Sequence, residues 1–230
     1  NVGNYFVPPD PHGAVGPEYL VSVVNVSIQW HTKAGALIGN KRLGKNSGGS
    51  IAGSFFETLT PTTATFDPKV IYDQQTGRFV VVALESSGSA VSDPSNISRI
   101  LVAVSATSDP TGTWYYQAID SKVTISGTEY WADYPGLAVD YEAIYITANL
   151  FTFSGVGTWG GERLWILAKT VGSGGGLYGG GSSTVNIYDA FSLASVAGYA
   201  DTAMPAHIFG STPGTVGTWL VYYGGLSDGT

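Results

Sequence analysis

The sequence contains no cysteine, which excludes disulfides, thiolate metal sites and a cysteine nucleophile. Charge is scarce as well: Asp, Glu, Lys and Arg make up 12% of the chain, about half the usual share of a soluble domain. Ten basic residues face 17 acidic ones, for a net charge of −7. Nucleic acid binding needs clustered Lys and Arg, and this chain lacks that footprint. Its one small basic group, Lys33, Lys41, Arg42 and Lys45, fits a solvated loop. No apolar run approaches the roughly 20 residues of a membrane-spanning helix. Long stretches of Leu, Glu, Lys and Ala, which would favour helices, are missing too.

What is present is the vocabulary of strands and turns: Val, Thr, Tyr, Ile and Ser, with 32 Gly and 11 Pro. An all-β fold is expected, and 230 residues at 43% hydrophobic content suffice for one large core. Four segments share an opening of an acid near a proline, a short strand, a tight turn and a longer strand. They are "DPHGAVGPEYLVSVVNVSIQW" from Asp10, "DPKVIYDQQTGRFVVVALESS" from Asp67, "DYPGLAVDYEAIYITANLFTF" from Asp133 and "DTAMPAHIFGSTPGTVGTWLVYYGG" from Asp201. Their prolines, Pro11, Pro68, Pro135 and Pro205, are 57, 67 and 70 residues apart. Further strand-like runs follow in units two and three, "SRILVAVSAT", "TWYYQAI", "ERLWILAKT" and "TVNIYDAF". Four strands per unit is the content of a β-propeller blade, whereas a sandwich gives no reason for the repeated opening. The reading is a single propeller domain over residues 1–230 with four-stranded antiparallel blades and units starting near 10, 67, 133 and 201. Three units and the start of a fourth leave two expectations open: a compact four-bladed ring, or an incomplete ring completed by a further segment or a second chain. The nearly continuous apolar runs "GRFVVVALES" and "RILVAVSAT" suit strands covered on both faces. Glycine-rich "VGSGGGLYGGGSS" (171–183) reads as an exposed loop.

Between the expected third and fourth strands of unit two lies Thr107-Ser108-Asp109-Pro110-Thr111-Gly112-Thr113-Trp114. Here Asp109 is expected to accept backbone N–H bonds, Gly112 to relax the turn, and Thr113 and Trp114 to anchor it on the core. This turn resembles the Asp-box of sialidase-type propellers, Ser/Thr-x-Asp-x-Gly-x-Thr-Trp, with the glycine one position late. More widely, residues 10–225 resemble propeller domains of large secreted microbial proteins. The resemblance implies export and a propeller, and it makes the turn a folding device remote from any active site.

Sialidase chemistry itself is disfavoured, because the four arginines, Arg42, Arg78, Arg99 and Arg163, do not stand in the contexts it needs. The unit-opening acids Asp10, Asp67, Asp133 and Asp201 would converge at one channel mouth of a propeller. There they could ligate Ca²⁺, which takes six to eight oxygens, or bind sugar hydroxyls; alternatively each caps its own turn. The densest candidate for binding is "EYWADYPG" (129–136). Its Tyr130, Trp131 and Tyr134 suit stacking on a sugar, and Glu129 with Asp133 would be the carboxyl pair of a glycosidase. His12, His31 and His207 lack metal-type spacing. Two glycosylation sequons occur, at Asn25 and Asn96, of which Asn96 lies in the more polar loop. The function expected is an extracellular or cell-surface binding or scaffold module for a glycan or a protein. The alternative is a carbohydrate-active hydrolase or lyase with its site at the channel mouth.

Overall fold

The computed structural model describes residues 6–222 apart from 89, 154–156, 171–174, 190–201, 211, 213, 215 and 216. The chain is all-β, and its repeating element is the four-stranded blade of a β-propeller. Strands β1 (His12–Val15), β2 (Tyr19–Val24), β3 (Ser27–Thr32) and β4 (Leu37–Arg42) form one meander in sequence order. Strands β5 (Phe66–Asp73), β6 (Arg78–Ser87), β7 (Ile97–Ser105) and β8 (Trp114–Asp120) form a second. The third sheet runs β9 (Val123–Ile125), β10 (Thr128–Val139), β11 (Ala143–Thr152), β12 (Trp159–Ala168) and β13 (Val185–Asp189), so a short strand extends the blade by one. A fourth begins with β14 (Met204–Pro205) and β15 (Leu220–Val221). Packing divides the chain into two compact units, residues 1–85 with 100–119, and 86–99 with 120–230.

In the first unit, strand alternation decides the faces. Val21 and Val23 of β2 are buried beside Ile28 and Trp30 of β3, while Leu20, Ser22 and Val24 point the other way. Residues Phe79–Leu84 and Ile100–Val104 are fully buried whichever way they point, as their unbroken apolar runs require. The core also takes Phe55 and Phe56 from the irregular segment after β4. Phe55 is a hub, 4.9 Å from the Phe56 ring, 5.0 Å from Trp114 and 5.6 Å from Tyr116, all edge-on. Each such aromatic contributes roughly 1.5–3 kcal/mol by burial alone. Arg42 shapes the segment's root by donating to the carbonyls of Gly44, Ser50 and Ala52.

Each repeat opens on one backbone device. Asp10, Asp67, Tyr134 and Thr202 all have left-handed φ, between 44° and 57°. In β5 and β10 this residue is the extra one of a β-bulge, between Phe66 and Lys69 and between Asp133 and Gly136. The proline that follows, Pro68 or Pro135, is at home in a bulge because no ladder hydrogen bond is asked of it. The register corrects the alignment read from sequence. The third and fourth members are Tyr134 and Thr202, not the acids one position earlier, and Ala203, not Pro205, stands where the other repeats have proline.

An asparagine side chain secures the openings. Asn25, just after β2, accepts from the Asp67 N–H at 2.7 Å and donates to the Pro8 carbonyl and to the Asp10 carboxylate. In the second unit Asn149 of β11 accepts from the Thr202 N–H at 3.0 Å and donates to the Thr202 hydroxyl at 2.9 Å. The glycine-rich segment is less open than its composition predicts. Residues 171–174 lie outside the described residues, but Leu177 and Tyr178 are buried, and Ser183 ties Leu177 to the Ala168 carbonyl.

Candidate binding site

The stretch 129–136 lies inside β10 rather than ahead of a strand. Glu129, Trp131 and Asp133 therefore share one face and Tyr130 and Ala132 the other. Glu129 is a held ion: Asn96 donates to it at 2.8 Å and the Lys122 ammonium stands 3.4 Å away. The Asn96 bond, aided by Lys122, keeps its pKa below the ordinary value, the opposite of what a general acid needs. Four residues along a strand put the Cα atoms of Glu129 and Asp133 about 13 Å apart, beyond the roughly 5–9.5 Å between a glycosidase's carboxyl groups. Tyr130 packs against Gly160, where a Cβ would stand 2.0 Å from its ring. Trp131 donates to the Thr152 carbonyl at 3.2 Å and packs 5.9 Å from Phe151. Only Tyr134, lifted by the bulge, is an exposed ring, at 44%.

Register reveals a polar row that the sequence did not. Asp133 pairs with Asn149, and Asn149 with Glu162, so three polar side chains cross β10, β11 and β12 on one face. Glu162 and Asn149 are buried, at 2% and 7% exposed. Their partners come from the fourth repeat: Glu162 accepts the Ala203 N–H at 2.9 Å beside the Asn149–Thr202 pair. Thr147 donates to the Ala203 carbonyl at 2.6 Å. Sequence spacing could not find this row, because its members come from three strands and gain meaning only in register.

Other acids are likewise spent on the fold. Asp73 caps its own turn, accepting the Gln75 N–H and the Thr76 hydroxyl. The repeat-related Asp140, fully buried, accepts the N–H groups of Glu142 and Ala143, the Tyr145 hydroxyl and the Gly217 N–H. Burial and Asp140 together push the Tyr145 phenol pKa up. Glu85, also fully buried, accepts the Thr62 N–H at 2.9 Å. Of the acids expected to hold a metal, Asp10 and Asp67 meet through Asn25, Asp133 lies in the polar row, and Asp201 is outside the described residues. Among the described residues no group of three or more His, Asp or Glu side chains is placed to hold a metal ion.

The turn at 105–114 stitches β7 to β8. Asp109 accepts the Thr111 N–H at 2.9 Å and hydroxyl at 2.7 Å, Ala106 donates to the Thr113 carbonyl, and the Trp114 indole donates to the Pro110 carbonyl. Gly112 is not left-handed, and an added Cβ would meet only an ordinary contact, so the turn does not demand glycine there. His12 is bonded to the Val70 backbone, and burial with Lys69 lowers its pKa. Asn96 is a poor glycan acceptor: it is 3% exposed and its amide already donates to Ala90 and Glu129. A cleft of about 450 Å³ opens on the first sheet, lined by Val15, Leu20, Ser22, His31 and Lys33 among others.

No protein-family model matches the chain, and no curated protein does. Among solved structures, a GH43 endo-arabinanase from Bacillus licheniformis is 12% identical with a TM-score of 0.34, the match covering 78% of this chain and 52% of that one. A mutant of the GH43 protein BlXynB from Bacillus licheniformis is 16% identical with a TM-score of 0.30, covering 77% and 41%. The chain thus spans about half the length of these structures or less, and likeness at this level assigns no residue a role.

Proposed function

We propose that this protein is a non-catalytic binding module of propeller type that works outside the cell and takes a hydroxyl-rich ligand, a glycan, at the bulge of β10. One observation carries the reading: the acids that stand out for chemistry are engaged in holding the fold. Glu129 is paired with Asn96 and Lys122, Glu162 with Ala203, and Asp140 with four donors. What remains outward at the bulge is the Tyr134 ring beside the half-buried Asp133. An aromatic face next to a carboxylate can stack on a sugar and accept its hydroxyls. The extracellular setting rests on the cysteine-free, charge-poor composition, and the sialidase-type likeness stays with a single turn.

The test is affinity electrophoresis through gels carrying soluble polysaccharides, with and without Ca²⁺, alongside an assay for released reducing ends. Retardation by at least one polysaccharide is expected, lost in Tyr134→Asn, which removes the ring while tolerating left-handed φ. Failure to bind any polysaccharide would overturn the glycan reading. Release of reducing ends that disappears in Asp133→Asn would overturn the non-catalytic one and favour a hydrolase.

A further inference from the structure

We propose that Thr202–Pro205 is a strap that lifts from and settles onto the third sheet as one unit, uncovering Asn149 and Glu162, the buried members of the polar row. The inference does not depend on what the β10 bulge binds. The strap's own ladder is two residue pairs, Met204 with Val221 and Pro205 with Leu220. It shares no ladder with β10, β11 or β12, which belong to a separate sheet. Among the described residues, four hydrogen bonds join it to that sheet: two with Asn149, one with Glu162 and one with Thr147. All four converge on two strap residues, Thr202 and Ala203, so losing the grip on one loosens the other.

Gly136 supplies the seat. A Cβ there would stand 2.4 Å from the Thr147 hydroxyl, 2.5 Å from Pro205 Cδ and 2.9 Å from the Met204 sulfur. Only a residue without a side chain lets the strap lie this close. The first unit provides a built-in control. Asn25 grips the Asp67 N–H as Asn149 grips that of Thr202, but Asp67 sits within β5, which is laddered to β6 from Phe66 to Asp73. The same clamp thus acts once on a strand inside a sheet and once on a segment held by side chains. Local openings of this kind, well below global unfolding, are resolved by amide exchange.

Native-state hydrogen exchange on the whole chain is the experiment. The Thr202 and Ala203 amides should exchange at one common rate, at least tenfold faster than the Asp67 amide and the β11 ladder amides. Two variants attack the strap from different sides: Asn149→Leu removes an anchor, and Gly136→Ala wedges the seat, pressing on Thr147 and the strap, without removing a hydrogen-bonding group. Each should speed Thr202 and Ala203 at least tenfold further and leave the β5–β6 ladder unchanged. Strap amides exchanging no faster than those of β11 in the native chain would overturn the proposal, whatever the variants do. Acceleration of β11 together with the strap in both variants would do the same, because the segment would then be an integral part of the sheet.

Discussion

At the scale of single residues, the side chains that looked reactive are mostly structural, and their partners explain why sequence could not tell. Glu129 and Asn96 are 33 positions apart, yet their bond fixes the charge of the glutamate. By contrast the Asp109 turn was legible, because its donors lie within two residues of the acid and its tryptophan four beyond its acceptor. Tyr116 offers a test of burial at this scale. Its phenol is pushed up to about 12 by burial among the aromatic core residues of the first unit. The unfolded chain would lose that proton first, near pH 10, so stability is intact below about pH 10 and falls as pH rises towards about 12. Urea unfolding across this window should show a shallower fall in Tyr116→Phe. Some slope should remain, because Tyr72 and Tyr145 are shifted in the same direction.

At the scale of elements, strand existence followed from hydrophobic pattern, and the repeat openings did not. β6 and β7 were readable as doubly covered strands from their apolar runs alone. The opening residues Asp10, Asp67, Tyr134 and Thr202 share a backbone conformation but not one side-chain chemistry. At Asp67 and Thr202 the reason lies in the clamp: the Asn oxygen reads a backbone N–H, a group that Asp and Thr offer alike. Drift at a position held this way is therefore tolerated, and in the third and fourth repeats the aspartate stands one place ahead of the residue with the left-handed φ. Asn25→Ala would leave the Asp67 N–H and the Pro8 carbonyl without this partner. Unsatisfied groups of this sort cost about 1–3 kcal/mol when buried, and the partial exposure here places the expected loss near the lower end. A reduced denaturant midpoint with unchanged slope, and faster exchange at Asp67, would be the readout; an unchanged midpoint would show that water replaces the clamp without loss.

At the scale of the whole molecule, composition was the most reliable guide. A chain rich in β-branched and aromatic residues with few charges is all-β, and its acidic balance sets its colloidal behaviour. With a net charge of −7 and a pI near 4.7, solubility should pass through a minimum close to that pI and recover on either side. Turbidity against pH at low salt checks this, and a minimum far from it would mean that surface patches, not net charge, govern association. Composition gave no hint that Phe55 and Phe56, from a segment without regular structure, complete the first unit's core. That segment has a rigid root and an idle tip. Arg42 grips its carbonyls, Asn46 closes a turn on Ser50, and Gly49 has nothing within 4 Å of where a side chain would start. For anyone wishing to graft an epitope or a tag onto this protein, the place to cut is therefore between Ser47 and Gly49. There new sequence would loop into solvent, while the two phenylalanines a few residues on keep their grip below.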